Sequence, residues 1–140
     1  MISVYGSSGF IGSRFCSLYA EKVIKVPRNF REPSSKDILY FISTTDNYSV
    51  FSDPTIDVKT NLLVLTETLA HIKEKSATFN FISSWFVYGE TDLPAKENSA
   101  CSPKGFYSIT KLCAEQLVES YCKTHKIPYR IRLFVGHENI

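Results

Sequence analysis

Short β-rich runs alternate with helical stretches along the whole chain, the pattern of a parallel sheet covered by helices. Ile2 to Tyr5 reads as a strand ending at a glycine, and a helix follows from about Ile11 to Glu21. Lys22 to Val26 is a second strand, closed by Pro27, which a sheet interior tolerates poorly. Ile38 to Ile42 is a third, a continuous apolar run of the kind buried on both faces. Asp53-Pro54 resembles an N-cap with proline in the first turn. Beyond it Val58, Leu62, Leu65, Leu69 and Ile72 recur at helical spacing, predicting one apolar stripe on a helix running to about Lys75. Leu63, Val64 and Ala70 fall off that stripe and allow a second buried face.

Thr78 to Ser83 is the next strand. Phe106, Ile109, Cys113, Leu117 and Tyr121 form another helical stripe, and Tyr129 to Phe134 is the last strand. The loop from Tyr88 to Gly105 carries Pro94 and Pro103 and is expected on the surface. The expectation is one α/β domain over residues 1–140, a doubly wound parallel sheet of about five strands in the order 2-1-3-4-5. Ligand then binds at the carboxyl ends of the strands, where the order reverses. Only 11 residues, Pro27 to Asp37, join the second and third strands, too few for a further helix and strand.

Composition narrows the function classes. Apolar residues at 44% and charged residues at 21% are ordinary for a globular chain of 140 residues. A net charge of +2 lacks the clustered basic surface that nucleic acid or an anionic membrane requires. No apolar run approaches the roughly 20 residues of a membrane span. The four cysteines have no metal or redox spacing, which points to reduced thiols in the cytoplasm. His71, His125 and His137 give no metal-binding pattern, so no metal is expected.

The chemistry begins at Gly6-Ser7-Ser8-Gly9-Phe10-Ile11-Gly12, between a predicted strand and a helix. Glycines there permit a tight turn and close backbone approach, and the helix N-terminus offers unpaired N–H groups to a pyrophosphate. Gly6, Ser8, Gly9, Phe10, Ile11 and Gly12 are the candidate cofactor contacts. No acidic residue follows the second strand. The segment Pro27-Arg28-Asn29-Phe30-Arg31 instead supplies two guanidinium groups suited to a 2′-phosphate, against the reading that both are solvated loop charges. NAD and NADP both stay open, and Arg28 tips the balance to NADP. Ser43, Thr44 and Thr45, after the third strand, line the expected cofactor path or form a simple turn.

Tyr107 and Lys111 lie four apart on one helix face, adjoining the apolar stripe. An ammonium beside a phenol favours phenolate, the form a general base needs. Upstream, Phe81-Ile82-Ser83-Ser84-Trp85-Phe86-Val87-Tyr88-Gly89 ends a strand with a hydroxyl at the sheet's carboxyl edge, and Asn61-Leu62-Leu63 lies on the preceding helix. Together with the glycine loop and Tyr107-Ser108-Ile109-Thr110-Lys111, these resemble the extended short-chain dehydrogenase/reductase family, in its NAD-dependent epimerase/dehydratase group. The resemblance covers nearly all 140 residues in order.

The resemblance implies a Rossmann fold and a nucleotide-sugar substrate. It makes Tyr107 the acid/base at a sugar oxygen, Lys111 its partner and a holder of the nicotinamide ribose, and Ser84 a hydrogen-bonding group at the same oxygen. Asn61 becomes a support near the lysine, or else an ordinary polar residue of its helix. The 4,6-dehydratases of the family carry Asp-Glu directly after the active-site serine or threonine. Trp85 and Phe86 stand there and cannot move protons, so an epimerase or a keto-sugar reductase fits better, and the two rings are either an apolar wall to the sugar or ordinary core. The resemblance also implies a homodimer through helices 53–75 and 106–125. The shortened crossover removes part of the adenine-side wall. The family's carboxyl-terminal substrate lobe is not expected here, and its Asn-Val-Tyr-Gly-Pro sequence is not recognisable in Val135-Gly136-His137-Glu138. Two other readings remain: a sensor that binds dinucleotide without catalysis, and a subunit whose partner supplies the missing lobe.

Overall fold

The computed structural model describes residues 1–45, 47–72 and 76–134. Five strands form one parallel sheet: β1 (Ile2–Tyr5), β2 (Val23–Lys25), β3 (Asp37–Tyr40), β4 (Thr78–Ser84) and β5 (Tyr129–Phe134). Their order is β2-β1-β3-β4-β5, as the alternation predicts. Ile2 stands opposite Val23 on one side and Asp37 on the other, Asp37 opposite Thr78, and Phe79 opposite Tyr129. The order reverses between β1 and β3, so the loops leaving those two strands diverge and open a cleft.

Successive side chains of a strand face opposite ways, and the two sheet faces have different cover. Val4 and the partly buried Leu39 and Phe41 pack with Cys16 and Phe15 of helix α1 (Phe10–Leu18). Tyr5, Ile38, Tyr40, Phe79 and Phe81 face the other way. They pack against Leu65 and Leu69 of α2 (Val64–Ala70) and Ala114, Val118 and Cys122 of α3 (Phe106–His125). Among the described residues no helix is long and apolar enough to cross a membrane.

The short crossover between β2 and β3 runs over β1 without a helix. Ser3, buried in β1, accepts a hydrogen bond from the Ser34 backbone N–H at 2.9 Å and lies 2.9 Å from Ser35 Oγ. The Tyr5 hydroxyl donates to the Arg31 carbonyl at 2.6 Å. Two side chains of β1 thus replace helix packing as the anchor of this segment.

Two helical stripes differ from their predicted form. The segment Val58–Leu63 is a π-helical turn that leads directly into α2, and Lys75 lies outside the described residues. A π turn holds more residues than an α turn, so it rotates the face that follows. Val58 is therefore exposed, while Asp57 and Asn61 point inward. Asp53 accepts from the Thr55 N–H and hydroxyl, capping the approach to the helix. On α3 the buried face is Tyr107, Thr110, Lys111, Ala114, Val118 and Cys122. The predicted stripe is the outer one: Phe106, Ile109 and Leu117 are about 40% exposed, and Cys113 and Tyr121 are partly buried. Small residues at Thr110, Ala114 and Val118 let α3 lie close on β4, whereas the bulkier stripe would hold it away.

Candidate active site

Two adjoining cavities, about 450 and 650 Å³, occupy the carboxyl edge of the sheet. Gly6, Gly9, Phe41 and Ser43 line both and mark where they meet, at the switch between β1 and β3. Gly6 turns the chain out of β1 with φ +76°, a conformation that favours glycine. A Cβ on Gly12 would stand 2.2 Å from the Gly6 carbonyl oxygen, so α1 packs this tightly on the turn only because Gly12 has none. Gly9 is the N-cap of α1 and offers no side chain to its first-turn amides. Those N–H groups remain for an anion at the junction of the cavities.

The sequence candidates divide between the two spaces. Phe10, Ile11, Gly12, Thr44 and Thr45 line the first cavity with Ser84, Tyr107 and Lys111; Ser8 and Arg28 line the second. Arg31 also reaches the second, but its guanidinium is engaged. Nε binds Glu67 Oε2 at 2.9 Å, and Nη1 donates to the Arg28 and Phe30 carbonyls at 2.9 and 3.2 Å. It braces the loop.

Ser84 ends β4, where its hydroxyl accepts the Phe86 N–H at 3.3 Å and caps the turn Trp85–Val87. Trp85 and Phe86 line the first cavity, and Phe86 lies edge-on to the Tyr107 ring at 6.3 Å, so they do form an apolar wall. Tyr107 and Lys111 come from the first two turns of α3, which Ser108 secures by accepting the Gly105 N–H at 3.0 Å. Lys111 is 2% exposed, yet it contributes to the lining of the first cavity. It donates to the Ile82 carbonyl at 2.8 Å and sits 4.4 Å from the Phe81 ring centroid. Burial lowers its pKa to about 8, with the Glu115 carboxyl acting in the opposite direction.

Asn61 does not line the cavity; it stands behind its wall. Its Oδ1 accepts the Thr44 N–H at 2.9 Å and the Ser43 hydroxyl at 3.2 Å. Its Nδ2 donates to Thr44 Oγ1 at 2.8 Å and Thr110 Oγ1 at 2.9 Å, and Thr110 in turn donates to the Tyr107 carbonyl at 2.9 Å. Asn61 therefore ties the loop after β3 to the helix that carries Tyr107, rather than touching the lysine. Asp57, absent from the sequence candidates, belongs to the same network. It is fully buried, and its Oδ1 accepts the Thr44 hydroxyl. The available signal was two polar residues four apart beside an apolar stripe. An α-helical period gave no reason to turn both inward.

A nicotinamide dinucleotide fits this arrangement by its glycine cradle and uncapped helix start. Among the described residues no cluster suits a metal ion, and the predicted histidine His137 lies outside them.

Comparison with known proteins agrees with the fold. A sequence model of the NAD dependent epimerase/dehydratase family matches residues 37–135. GDP-6-deoxy-D-mannose reductase of Pseudomonas aeruginosa is 30% identical, over 81% of this chain and 44% of the relative. An uncharacterized UDP-glucose epimerase, YtcB, of Bacillus subtilis is 37% identical over 53% of this chain and 24% of its own. Among solved structures, RMD from Pseudomonas aeruginosa complexed with NADPH has a TM-score of 0.78 and 25% identity, covering 93% of this chain and 52% of that one. UDP-glucuronic acid 4-epimerase from Bacillus cereus, with UDP-glucuronic acid and NAD, shares the fold at a TM-score of 0.80 and 22% identity. This chain covers 93% of its own length and 55% of that structure. The chain spans about half or less of these relatives.

Proposed function

The chain belongs to the NAD dependent epimerase/dehydratase family, and on that premise we propose that it is the cofactor-binding and catalytic part of a nucleotide-sugar epimerase or keto-sugar reductase. One observation carries the reading. A single cavity of about 450 Å³ brings Ser84, Tyr107 and Lys111 to the same wall as the uncapped start of α1.

In this reading the first-turn amides of α1 hold the pyrophosphate, the second cavity takes the adenosine half, and Tyr107 and Lys111 hold the nicotinamide ribose. A bound nicotinamide dinucleotide supplies the hydride chemistry at the sugar carbon. The protein's own part is proton transfer. The Tyr107 oxygen takes a proton from a sugar hydroxyl, or returns one to a sugar carbonyl. The Lys111 ammonium stabilises the phenolate, and Ser84 fixes the same oxygen by a hydrogen bond. Trp85 and Phe86 offer no proton-transferring group, which supports epimerisation or reduction over dehydration.

Arg28 supports NADP as cofactor, and it does so without Arg31, whose donors brace the loop. The half-exposed row Phe106, Ile109 and Leu117 on α3, with Val58 and Leu63 on the preceding helix, supports a homodimer through these two helices. Four free thiols fit a reducing cytoplasm.

Calorimetric titration of the 140-residue chain with NAD(H) and NADP(H) tests the central claim. Saturable binding of one or both is expected. A folded chain that binds neither removes the enzyme reading and leaves a fragment with the fold alone.

A further inference from the structure

Next to Lys111 lie two polar side chains that the proposed chemistry leaves unused, the partly buried Glu115 of α3 and the buried Ser83 of β4, which also lines the first cavity. Glu115 follows Lys111 by four residues on α3, so both project from neighbouring turns of one helix face. Its Oε1 is buried without a hydrogen bond that meets normal geometry, and so is the Ser83 hydroxyl of β4, which faces it. Lys111 has three N–H donors and spends one on the Ile82 carbonyl, in the same stretch of β4. An ammonium buried to this degree needs a counter-charge, since neither a carbonyl nor the Phe81 ring neutralises it.

We propose that Glu115 is a positioning residue for the Tyr107–Lys111 pair: its carboxylate, one turn behind Lys111 and facing Ser83, is the counter-charge that keeps the lysine an ammonium in its buried seat. The Ser83 hydroxyl favours the ionised carboxylate, working against the burial that raises the Glu115 pKa. The remaining groups around this seat are few. Tyr107 is on the same helix face, and β4 contributes Ser84. Beyond Glu115 the loop after β4 brings Cys101 and Tyr88, whose pKa values burial and Glu115 both push up, and Glu97 lies beyond Tyr88. Both thus stay neutral at physiological pH, which leaves Glu115 as the nearby anion.

The assignment deepens the proposed function, because it concerns the lysine of that site, but it can be tested without cofactor or substrate. The chain is labelled with ¹³C at the lysine ε carbons, the Lys111 signal is identified by its loss in Lys111→Met, and its titration is followed from pH 6 to 11. The wild-type midpoint is expected near pH 8. Glu115→Gln should lower it by about one unit, as expected for losing one partly screened charge a helical turn away. Glu115→Asp keeps the charge and should restore most of the shift. A Glu115→Gln midpoint within about 0.3 unit of wild type, or above it, overturns the proposal, since a purely structural role alters stability and leaves the midpoint in place. Should Glu115→Gln fail to fold, Glu115→Met, close in volume and uncharged, takes its place: a midpoint lowered by about one unit upholds the assignment, and one within about 0.3 unit of wild type overturns it. Parallel titration with NAD(H) and NADP(H) separates the two claims. A shifted midpoint without dinucleotide binding upholds Glu115 and removes the cofactor reading; binding with an unmoved midpoint does the reverse.

Discussion

Replacing Gly12 by alanine is expected to destabilise the protein, although alanine is the better helix former by about 1 kcal/mol. Gly12 lies buried in the first turn of α1. The added Cβ would stand 2.2 Å from the Gly6 carbonyl oxygen, 2.9 Å from the Gly6 carbonyl carbon and 3.2 Å from the Ser7 Cα. All three are backbone atoms, so no side chain can swing aside. Relief requires moving either α1 or the turn itself by about an ångström, and backbone overpacking of this kind belongs at the upper end of the usual range, about 2–3 kcal/mol. With the propensity gain subtracted, a net loss of roughly 1–2 kcal/mol remains, which lowers Tm by about 3–10 °C in a chain of this size. Gly9→Ala is the control. Its Cβ meets only the Gly6 carbonyl oxygen, at 3.3 Å, and its φ of −74° suits any residue. That variant should lose less than about 1 kcal/mol of stability, the difference between glycine and alanine at an N-cap. It should nevertheless weaken dinucleotide binding at least tenfold, about 1.4 kcal/mol, because the methyl stands at the junction of the two cavities. Thermal unfolding of both variants, followed by calorimetry with NAD(H) and NADP(H), separates the effects. A Gly12→Ala chain as stable as wild type, or a Gly9→Ala chain that unfolds like Gly12→Ala, refutes the reasoning.

Other substitutions probe the remaining parts of the site. Tyr107→Phe should abolish turnover with a nucleotide sugar while weakening dinucleotide binding by no more than about tenfold, the cost of one ribose hydrogen bond; loss of both in equal measure would remove its role in proton transfer. Arg28→Ala should weaken NADP(H) more than NAD(H), by about tenfold if its guanidinium meets a 2′-phosphate. Equal weakening of the two cofactors would argue against that contact. Thr44→Val leaves Asp57 buried without its donor and should cost about 2–3 kcal/mol in chemical denaturation. Adding Asp57→Ala should recover part of that loss, and a strictly additive double mutant would show that the two side chains are not coupled.

Much of the fold can be read in the chain because its signals are local. A glycine where β1 ends, β-rich runs at β4 and β5, and eleven residues between β2 and β3 fix a parallel sheet and a crossover without a helix. The glycine loop and the four-residue spacing of Tyr107 and Lys111 are equally local. Residues four apart meet the same neighbours wherever the helix is placed. Which neighbours they meet is a different matter. Hydrophobicity alone selects Phe106, Ile109 and Leu117 as the core face of α3, yet the smaller Thr110, Ala114 and Val118 occupy it and bring Lys111 against Ile82 and Phe81.

The same division runs through the rest of the site. Arg28 and Arg31 look equivalent in sequence, and only a partner on α2, Glu67, takes Arg31 out of service. Asp57 is not singled out by the sequence, and Asn61 reads either as a support near the lysine or as an ordinary helix polar, until a π turn sets both beneath Thr44. The succession of strands, the glycine turn and the four-residue spacing of Tyr107 and Lys111 are thus legible in the chain, because each is written in residues close together in sequence. Tertiary structure alone decided which charges are spent, which are buried and which stay free, because those outcomes depend on contacts between segments tens of residues apart.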